Sequence, residues 1–551
     1  MATRQQKKVV LGSSLGTVFE WYDFYLYGAL APIIARQFFS GLDAGAAFIF
    51  ALLAFAAGFV VRPFGALIFG YLGDMIGRKY TFLVTILVMG LSTFIVGILP
   101  NQDAIGVAAP VLLIGLRLLQ GLALGGEYGG AAIYVAEHAP FGRRGEYTAW
   151  IQTTATLGLL LSLVVIIGTR SMLGEDAFAD WGWRIPFLGS IVLLFISVWI
   201  RLSMQESPAF RRIKNEGTAS SAPVRESFTQ WKNLRIVLIA LFGLTAGQAV
   251  VWYTGQFYTL FFLTQALKVD PATAGILVAT SLLIGAPFFL LFGWLSDRIG
   301  RKPIIMAGCL FAAIGYFPLF GALTAAANPD LARALDEVPV AIRVDASRCS
   351  FQGNPIARET DYRSSCDIAK RTLAQAGINY SVVSSAPGSD TIVKVGELEL
   401  IAPDGRIDAE RSHDFDIESR AAINLFRAEL AEATHGAGYP IAADPDKMNR
   451  PLVIAILSLL VIFVTMVYGP IAALLAELFP TRIRYTSVSV PYHLGNGWFG
   501  GLLPAVAFGM VAQSGDIYQG LWYPVIVAAA TFVVGMLLVP ETRDVDLERI
   551  R

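Results

Sequence analysis

The chain repeats itself. The stretch Gly70-Tyr-Leu-Gly-Asp74-Met-Ile-Gly77-Arg78-Lys79 returns 223 positions later as Gly293-Trp-Leu-Ser-Asp297-Arg-Ile-Gly300-Arg301-Lys302. A second pair, Ala136-Glu137-x-x-Pro140-x-x-x-Arg144 and Ala476-Glu477-x-x-Pro480-x-x-x-Arg484, lies 340 positions apart. The second copy therefore carries 117 more residues between its landmarks than the first. Each landmark falls between long apolar runs. The repeating unit is thus a bundle of membrane helices, and the fold is two parallel repeats with an insertion in the second.

Composition agrees, with 55% hydrophobic and 15% charged residues over 551 positions, where a soluble chain carries about 25% charged. Apolar runs of about 20 residues suffice to cross ~30 Å of hydrocarbon. They mark twelve spans, six in 1–204 and six in 235–327 and 450–540. Residues 205–234 read as a linker between the bundles and 541–551 as a tail. Lys and Arg concentrate on one set of connections, among them Arg78/Lys79, Arg143/Arg144, Arg211/Arg212/Lys214, Arg301/Lys302 and Arg482/Arg484. The opposite connections are short and neutral or acidic, which predicts cytoplasmic termini and an even number of spans in a bacterial inner membrane.

The insertion, 328–449, falls between spans nine and ten and is expected on the periplasmic face. It holds 20 acidic and 13 basic residues. Val338, Val340, Ile342 and Val344 alternate as a strand does. Ser364-x-x-Asp367 starts a helix that Gly377 stops. A strand pair around 391–409 is predicted to turn at Asp404-Gly405, and Ile423, Phe426 and Leu430 put an apolar face on a helix ending before Gly436. A small α+β cap follows. Cys349 and Cys366, in an oxidising compartment, are expected to form a disulfide, and Cys309 to be a core residue. His413 and His435 lack metal-ligand spacing with these cysteines, so no metal, cofactor or enzymatic activity is expected.

The doubled Gly-x-Leu-x-Asp-x-x-Gly-Arg-Lys loop resembles the signature of the major facilitator superfamily. Glu20-Trp-Tyr-Asp23-Phe, Val61-Arg62-Pro63-Phe-Gly65, Arg117-Leu-Leu-Gln120-Gly121, Gly125-Gly126-Glu127-Tyr-Gly-Gly130, Gly182-Trp-Arg184-Ile-Pro-Phe187, Glu206-Ser207-Pro208 and Pro540-Glu541-Thr542 are similar to the metabolite:proton symporter family. Its members include dicarboxylate, shikimate and proline/betaine carriers. The resemblance covers the chain outside 328–449 and implies an all-α major facilitator fold. It also implies a latch at Gly70, Asp74, Gly77, Arg78, Asp297, Gly300 and Arg301, to which the second repeat pair adds Glu137, Arg144, Glu477 and Arg484. In physical terms Gly77 and Gly300 permit tight turns and the aspartates can cap free helix amides.

Charged groups inside spans are costly and mark a transport path. Glu20 and Asp23 share one helix face, and Arg117, Gln120, Leu124 and Glu127 form a stripe on span four. A carboxylate facing an arginine can hold or lose a proton as the arginine changes partner. Asp23, Arg117, Glu20 and Glu127 are therefore the proton-coupling candidates, against a plainer reading of fixed ion pairs and helix packing. Substrate-binding candidates are Arg62, Arg117, Gln120, Arg184, Trp252, Gln256, His493 and Asn496. Their plainer readings are a carbonyl clamp for Arg62, an interfacial arginine for Arg184 and packing for His493. No phosphate-binding glycine loop with lysine is present, so ATP drive is not expected, nor is a nucleic-acid partner.

The chain thus reads as a monomeric proton-coupled importer of a small organic solute, with the bilayer as its surroundings. The leading substrate class is a carboxylate, because Arg62 and Arg117 are buried cations. The second is a zwitterionic osmolyte whose amine rests on aromatic faces. A third reading, of another class, is a transporter-like receptor that senses a ligand through the cap.

Overall fold

The computed structural model describes residues 4–40, 44–202, 206–217, 220–352, 359–408 and 414–547. The first bundle contains α1 Arg4–Phe38, α2 Ala44–Met75, α3 Arg78–Ile98, α4 Ala108–His138, α5 Arg144–Leu173 and α6 Arg184–Leu202. The second contains α7 Trp231–Ala266, α8 Pro271–Ile299, α9 Arg301–Ala327, α10 Arg450–Leu478, α11 Arg484–Val511 and α12 Gln519–Leu538. Among the described residues, the ten helices from α3 to α12 are long and apolar enough to cross a membrane. The helices α1 and α2, 35 and 32 residues long, take the other two places in the repeat.

Small residues set the spacing inside the first bundle. A Cβ on Gly121 would come 2.2 Å from the Gly58 carbonyl oxygen, and one on Gly125 would come 2.3 Å from that of Arg62. The backbones of α2 and α4 therefore touch, which brings Arg62 and Arg117 to one cleft. Gly129 and Gly130 instead face Ser489 and Tyr485 of α11, across the seam between the bundles. The glycine run of α4 thus serves two different contacts.

Two helices of the second bundle depart from regular α geometry. Widened π-helical turns interrupt α7 at Leu241–Thr245, Thr254–Tyr258 and Phe262–Ala266, and α11 at Gly495–Gly500. Such turns recur at functional sites because they re-aim side chains. Here they hold Gln256 and Asn496.

Between α9 and α10 a four-stranded sheet forms in the order β2-β1-β3-β4. Its strands are β1 Val340–Val344, β2 Ser381–Ser384, β3 Ile392–Val395 and β4 Leu398–Ile401. Val340, Ile342 and Val344 point into the core while Arg343 is exposed, the alternation of a half-buried strand. The helix Ser365–Gln375 crosses between parallel β1 and β2, and the Ser364 hydroxyl accepts from the Asp367 amide at its start. A second helix, Ile417–Gly436, buries Ile423, Phe426 and Leu430. Cys349 and Cys366 are joined by a disulfide with Cα atoms 5.3 Å apart, and Cys309 is a buried free thiol. His413 lies outside the described residues.

The hairpin turn differs from its expected place. The chain reverses at Gly396, whose φ of 58° lies in the left-handed region, and not at Asp404-Gly405. Asp404 instead accepts from the Ser365 amide at 2.7 Å and pairs with Arg348 at 2.6 Å. A local turn signal cannot distinguish a hairpin from a loop that caps a distant helix.

The cap is anchored on the second bundle. Lys268 Nζ donates to the Gln375 carbonyl at 2.6 Å, the Tyr380 amide to Gly515 at 2.8 Å, and the Ile517 amide to Asn379 Oδ1 at 2.9 Å. It thereby ties the loop after α7 to the loop after α11.

Candidate functional site

Asp23 on α1 and Arg117 on α4 stand 3.5 Å apart, both buried. Gln120, one turn along α4, donates to Asp23 at 3.4 Å and to the Thr93 hydroxyl at 2.9 Å. The Arg117 guanidinium also lies 3.7 Å from the Tyr27 ring centroid, a cation–π contact four residues from Asp23 on the same face. Even so, among the described residues Nε and Nη2 of Arg117 are buried without hydrogen-bond partners.

Across the same cleft Arg62 lies 4.3 Å over the Phe59 ring and 5.9 Å from that of Phe24. Among the described residues its guanidinium makes no hydrogen bond and no ion pair, and its Nε is fully enclosed. The cleft is lined by Asp23, Phe24, Phe59, Arg62, Arg117 and Gln120 with small neighbours, and has room for little more than a water molecule.

The second bundle meets the first beside this cleft through polar and aromatic groups, which are not among its lining residues. Tyr25 donates to Gln256 Oε1 at 2.9 Å, and Trp21 and Trp252 meet with ring centroids 5.0 Å apart. Gln248 and Asn496 bond each other at 3.3 and 3.2 Å. Among the described residues His493, 1% exposed, has no hydrogen-bond partner at either ring nitrogen, and neither has the Trp252 indole N–H. A buried polar atom without a partner is costly, and such atoms concentrate where a ligand supplies the missing bond.

Two expected residues stand elsewhere. Arg184 donates to the carbonyls of Gly97 and Leu99 at 3.1 and 2.6 Å and stacks 4.6 Å from the Trp183 ring. It clamps the end of α3 and is absent from the cleft lining. Glu127 is engaged by Arg201 at 2.6 Å, and Arg201 in turn donates to the Phe82 carbonyl and stacks on the Phe82 ring. Sequence reasoning missed Arg201. Its signal was a single charge in the last apolar turn of α6.

At the face that carries the repeated loops, the ion pairs are doubled. Asp74 accepts from the amides of Tyr485 and Thr486 at 3.2 and 2.9 Å, capping α11 from the other bundle. Asp297 accepts from Gly145 and Glu146 at 2.9 and 2.8 Å, capping α5 in the same way. Arg78 lies 3.4 Å from Asp74 and 3.8 Å from Glu137, which pairs with Arg484 at 2.8 Å. Arg301 lies 2.7 Å from Asp297 and 3.3 Å from Glu477, which Arg144 meets at 3.4 Å. A Cβ on Gly70 would come 2.9 Å from Thr486 Cα, so the seam between α2 and α11 requires glycine there. The acids that close this arrangement are Glu206 and Glu541, motif residues whose sequence context gives them no role. They accept from the free amides that open α3 and α9.

Two pseudo-equivalent six-helix halves, joined at one face by mirrored ion pairs and enclosing a polar cleft, define the major facilitator class. The sugar (and other) transporter family profile matches residues 9–230 and 431–551, and the chain belongs to that family. The profile described as MFS/sugar transport protein matches 135–333. Similar proteins include the glycine betaine/proline/ectoine/pipecolic acid transporter OusA of Dickeya dadantii, 35% identical over 57% of this chain and 64% of its own length. The shikimate transporter of Escherichia coli K12 is 35% identical over 59% of this chain and 74% of its own. The chain thus spans less than two thirds of the length of some curated relatives it matches. Among solved structures, the proton:xylose symporter XylE bound to 6-bromo-6-deoxy-D-glucose has a TM-score of 0.61 at 16% identity, covering 99% of this chain and 98% of that one. It shares the fold.

Proposed function

We propose that this chain is a proton-coupled symporter that imports a small organic carboxylate across the bacterial inner membrane. In this reading the repeated loops and both ends of the chain are cytoplasmic, the cap is periplasmic, and the carrier works as a monomer in lipid. The observation that carries it is Arg62: a buried guanidinium that makes no hydrogen bond or ion pair among the described residues, across a water-sized cleft from a carboxylate–guanidinium pair. Leaving a charge uncompensated in hydrocarbon is expensive, and a carboxylate presents the planar two-oxygen acceptor that guanidinium fits.

Asp23 is the proton carrier in this proposal and Arg117 its switch. When a solute draws on the open Nε and Nη2 of Arg117, Asp23 loses part of its stabilising charge and takes a proton. When the solute leaves, Arg117 returns and the proton is expelled. Gln120 keeps Asp23 in register. Gln256, Asn496, His493 and Trp252 contribute the second bundle's side of the site, so closure completes it. The paired latch at the cytoplasmic face holds one arm of the alternating cycle, and nothing in it is placed to touch solute.

One observation favours the osmolyte reading instead. Trp21, Trp252 and Tyr253 gather within 5.0 Å of one another in successive pairs beside the cleft, and OusA is named for betaine and proline. Counterflow in proteoliposomes separates the readings. Exchange of shikimate and related acids, without glycine betaine, supports the carboxylate. Exchange of glycine betaine alone rejects it, and no exchange of either against a broad solute panel rejects transport.

A further inference from the structure

Among the described residues, six charged side chains lie buried between the two faces of the first bundle: Glu20, Asp23 and Glu127 against Arg62, Arg117 and Arg201. The charges balance, three against three, but the contacts do not. Asp23–Arg117 and Glu127–Arg201 are closed pairs at 3.5 and 2.6 Å. Glu20 and Arg62 remain. Among the described residues neither makes a hydrogen bond or an ion pair, and Glu20 Oε2 is fully enclosed. Glu20 stands one helical turn before Phe24 on α1, and the Arg62 guanidinium lies 5.9 Å from the Phe24 ring, so the two charges share one face of the cleft.

Among the described residues the other charges around Glu20 are one acid and one arginine. Glu127 faces it from α4, and Arg201, from α6, is already held by Glu127. The remaining groups within its field are the phenols Tyr128, Tyr253, Tyr468 and Tyr492. His493 of α11 faces Arg62 and, unpartnered, adds no negative charge.

We propose that the Glu20 carboxylate and the solute carboxylate are alternative counter-ions of Arg62, so that the solute is held only while Glu20 carries a proton. This rests on the reading of the cleft as a carboxylate site. Arg62 is one positive charge and can balance one anion in a medium that tolerates no surplus. With Glu20 protonated, Arg62 is open to the solute. When Glu20 gives its proton to the cytoplasm, its carboxylate claims Arg62 and weakens the hold on the solute. Proton and solute affinities are then linked, each raising the other by the same factor. Glu20 is in this account a second proton site beside Asp23, and it acts through Arg62 without needing to touch the solute.

The test has one arm that needs no solute. In the purified full chain, infrared titration follows the protonated-carboxyl stretching band that Glu20→Gln removes. Arg62→Gln withdraws the counter-ion and is expected to move the midpoint of that band upward by about one pH unit or more, roughly tenfold in proton affinity. Arg62→Lys keeps the charge and is expected to restore it. Because Arg62 makes no hydrogen bond, both variants should fold. An unmoved midpoint in Arg62→Gln overturns the proposal. The second arm measures shikimate binding against pH. Through the midpoint of that band wild type should weaken about tenfold more per pH unit than Glu20→Gln, which keeps only the dependence set by Asp23; an identical slope in the two through that midpoint also overturns it. A shifted midpoint with no binding of shikimate or any other carboxylate counts against the function proposed above, and not against the Glu20–Arg62 linkage.

Discussion

Glu541 does at the start of α9 what Glu206 does at the start of α3. The Glu206 carboxylate accepts from the amides of Arg78 and Lys79 at 3.1 and 3.3 Å, and that of Glu541 from Arg301 and Lys302 at 3.0 and 3.1 Å. The lysines complete the likeness: Lys79 donates to the Leu202 carbonyl and Lys302 to that of Met536. Each half thus folds a glutamate just beyond its sixth helix back onto the positive end of its third helix, where free amides favour an anion. Since Asp74 and Asp297 reach across to the other half, both halves are tied internally by a glutamate and to each other by an aspartate.

Gly77 and Gly300 are where that arrangement is most exposed to substitution. Their φ angles are 126° and 111°, and an added Cβ would come 2.2 Å from Glu206 Oε2 or 2.4 Å from Glu541 Oε2. Gly77→Ala and Gly300→Ala should each weaken the closed latch by about 1–3 kcal/mol. Spin-label distances across the loop-bearing face should lengthen in both variants. Unchanged distances in both would remove the latch from the conformational cycle.

Arg62→Lys and Arg117→Lys keep charge but lose the planar fork. Solute affinity, read by calorimetry or counterflow, should fall about tenfold or more in each, ~1.4 kcal/mol. Arg184→Lys, whose guanidinium is spent on the Gly97 and Leu99 carbonyls, should leave affinity alone. Normal binding by both Lys variants in the cleft would take away the basis for an anionic solute.

Asp23→Asn imitates the protonated carboxyl. It should bind and exchange solute yet fail to accumulate it against a gradient under a pH difference. Accumulation at the wild-type level would move the principal proton site from Asp23 to Glu20 or Glu127.

The disulfide closes a loop with a sequence separation of 17, worth about 3 kcal/mol in the chain-entropy model. Neither Cys349 nor Cys366 should react with thiol reagents before reduction. After reduction, hydrogen exchange in the helix Ser365–Gln375 should quicken by roughly two orders of magnitude, the ~3 kcal/mol expressed as a rate. Free labelling of both cysteines in oxidising conditions would rule out the bridge.

Acid should loosen the cap before the bundles. The Ser347 hydroxyl with the Gly388 amide holds Asp345 below the ordinary carboxylate range, and the Ser419 amide does so for Asp416. At Asp404 burial works upward, but the Ser365 amide and Arg348 outweigh it and the group also lies low. Carboxylates depressed in the fold contribute stability that is present above the unfolded value near 4 and lost as pH falls through the folded one. Exchange protection of the cap should therefore be level from about pH 7 to 5 and decline below about 4. A decline already complete at pH 5 would assign the sensitivity to other groups.

The class of fold is legible in the residues alone, because two mechanisms write directly into them. The need to cross ~30 Å of hydrocarbon demands apolar runs of fixed length, and duplication leaves copies such as Asp74 and Asp297 in register. Local periodicity placed Glu20 and Asp23 on one face and put Ser364 at the start of its helix. What it left open was every relationship between elements distant in the chain. Arg201 reaches Glu127, Glu206 folds back to Gly77, Asp404 caps a helix in place of making a hairpin, and Arg184 leaves the cleft for α3. Only tertiary structure decided these, because a buried charge takes whichever partner the packed backbones bring within about 3 Å. That distance is set by the glycine contacts of α2 and α4 and by the turns of α7 and α11, none of which any single segment encodes alone.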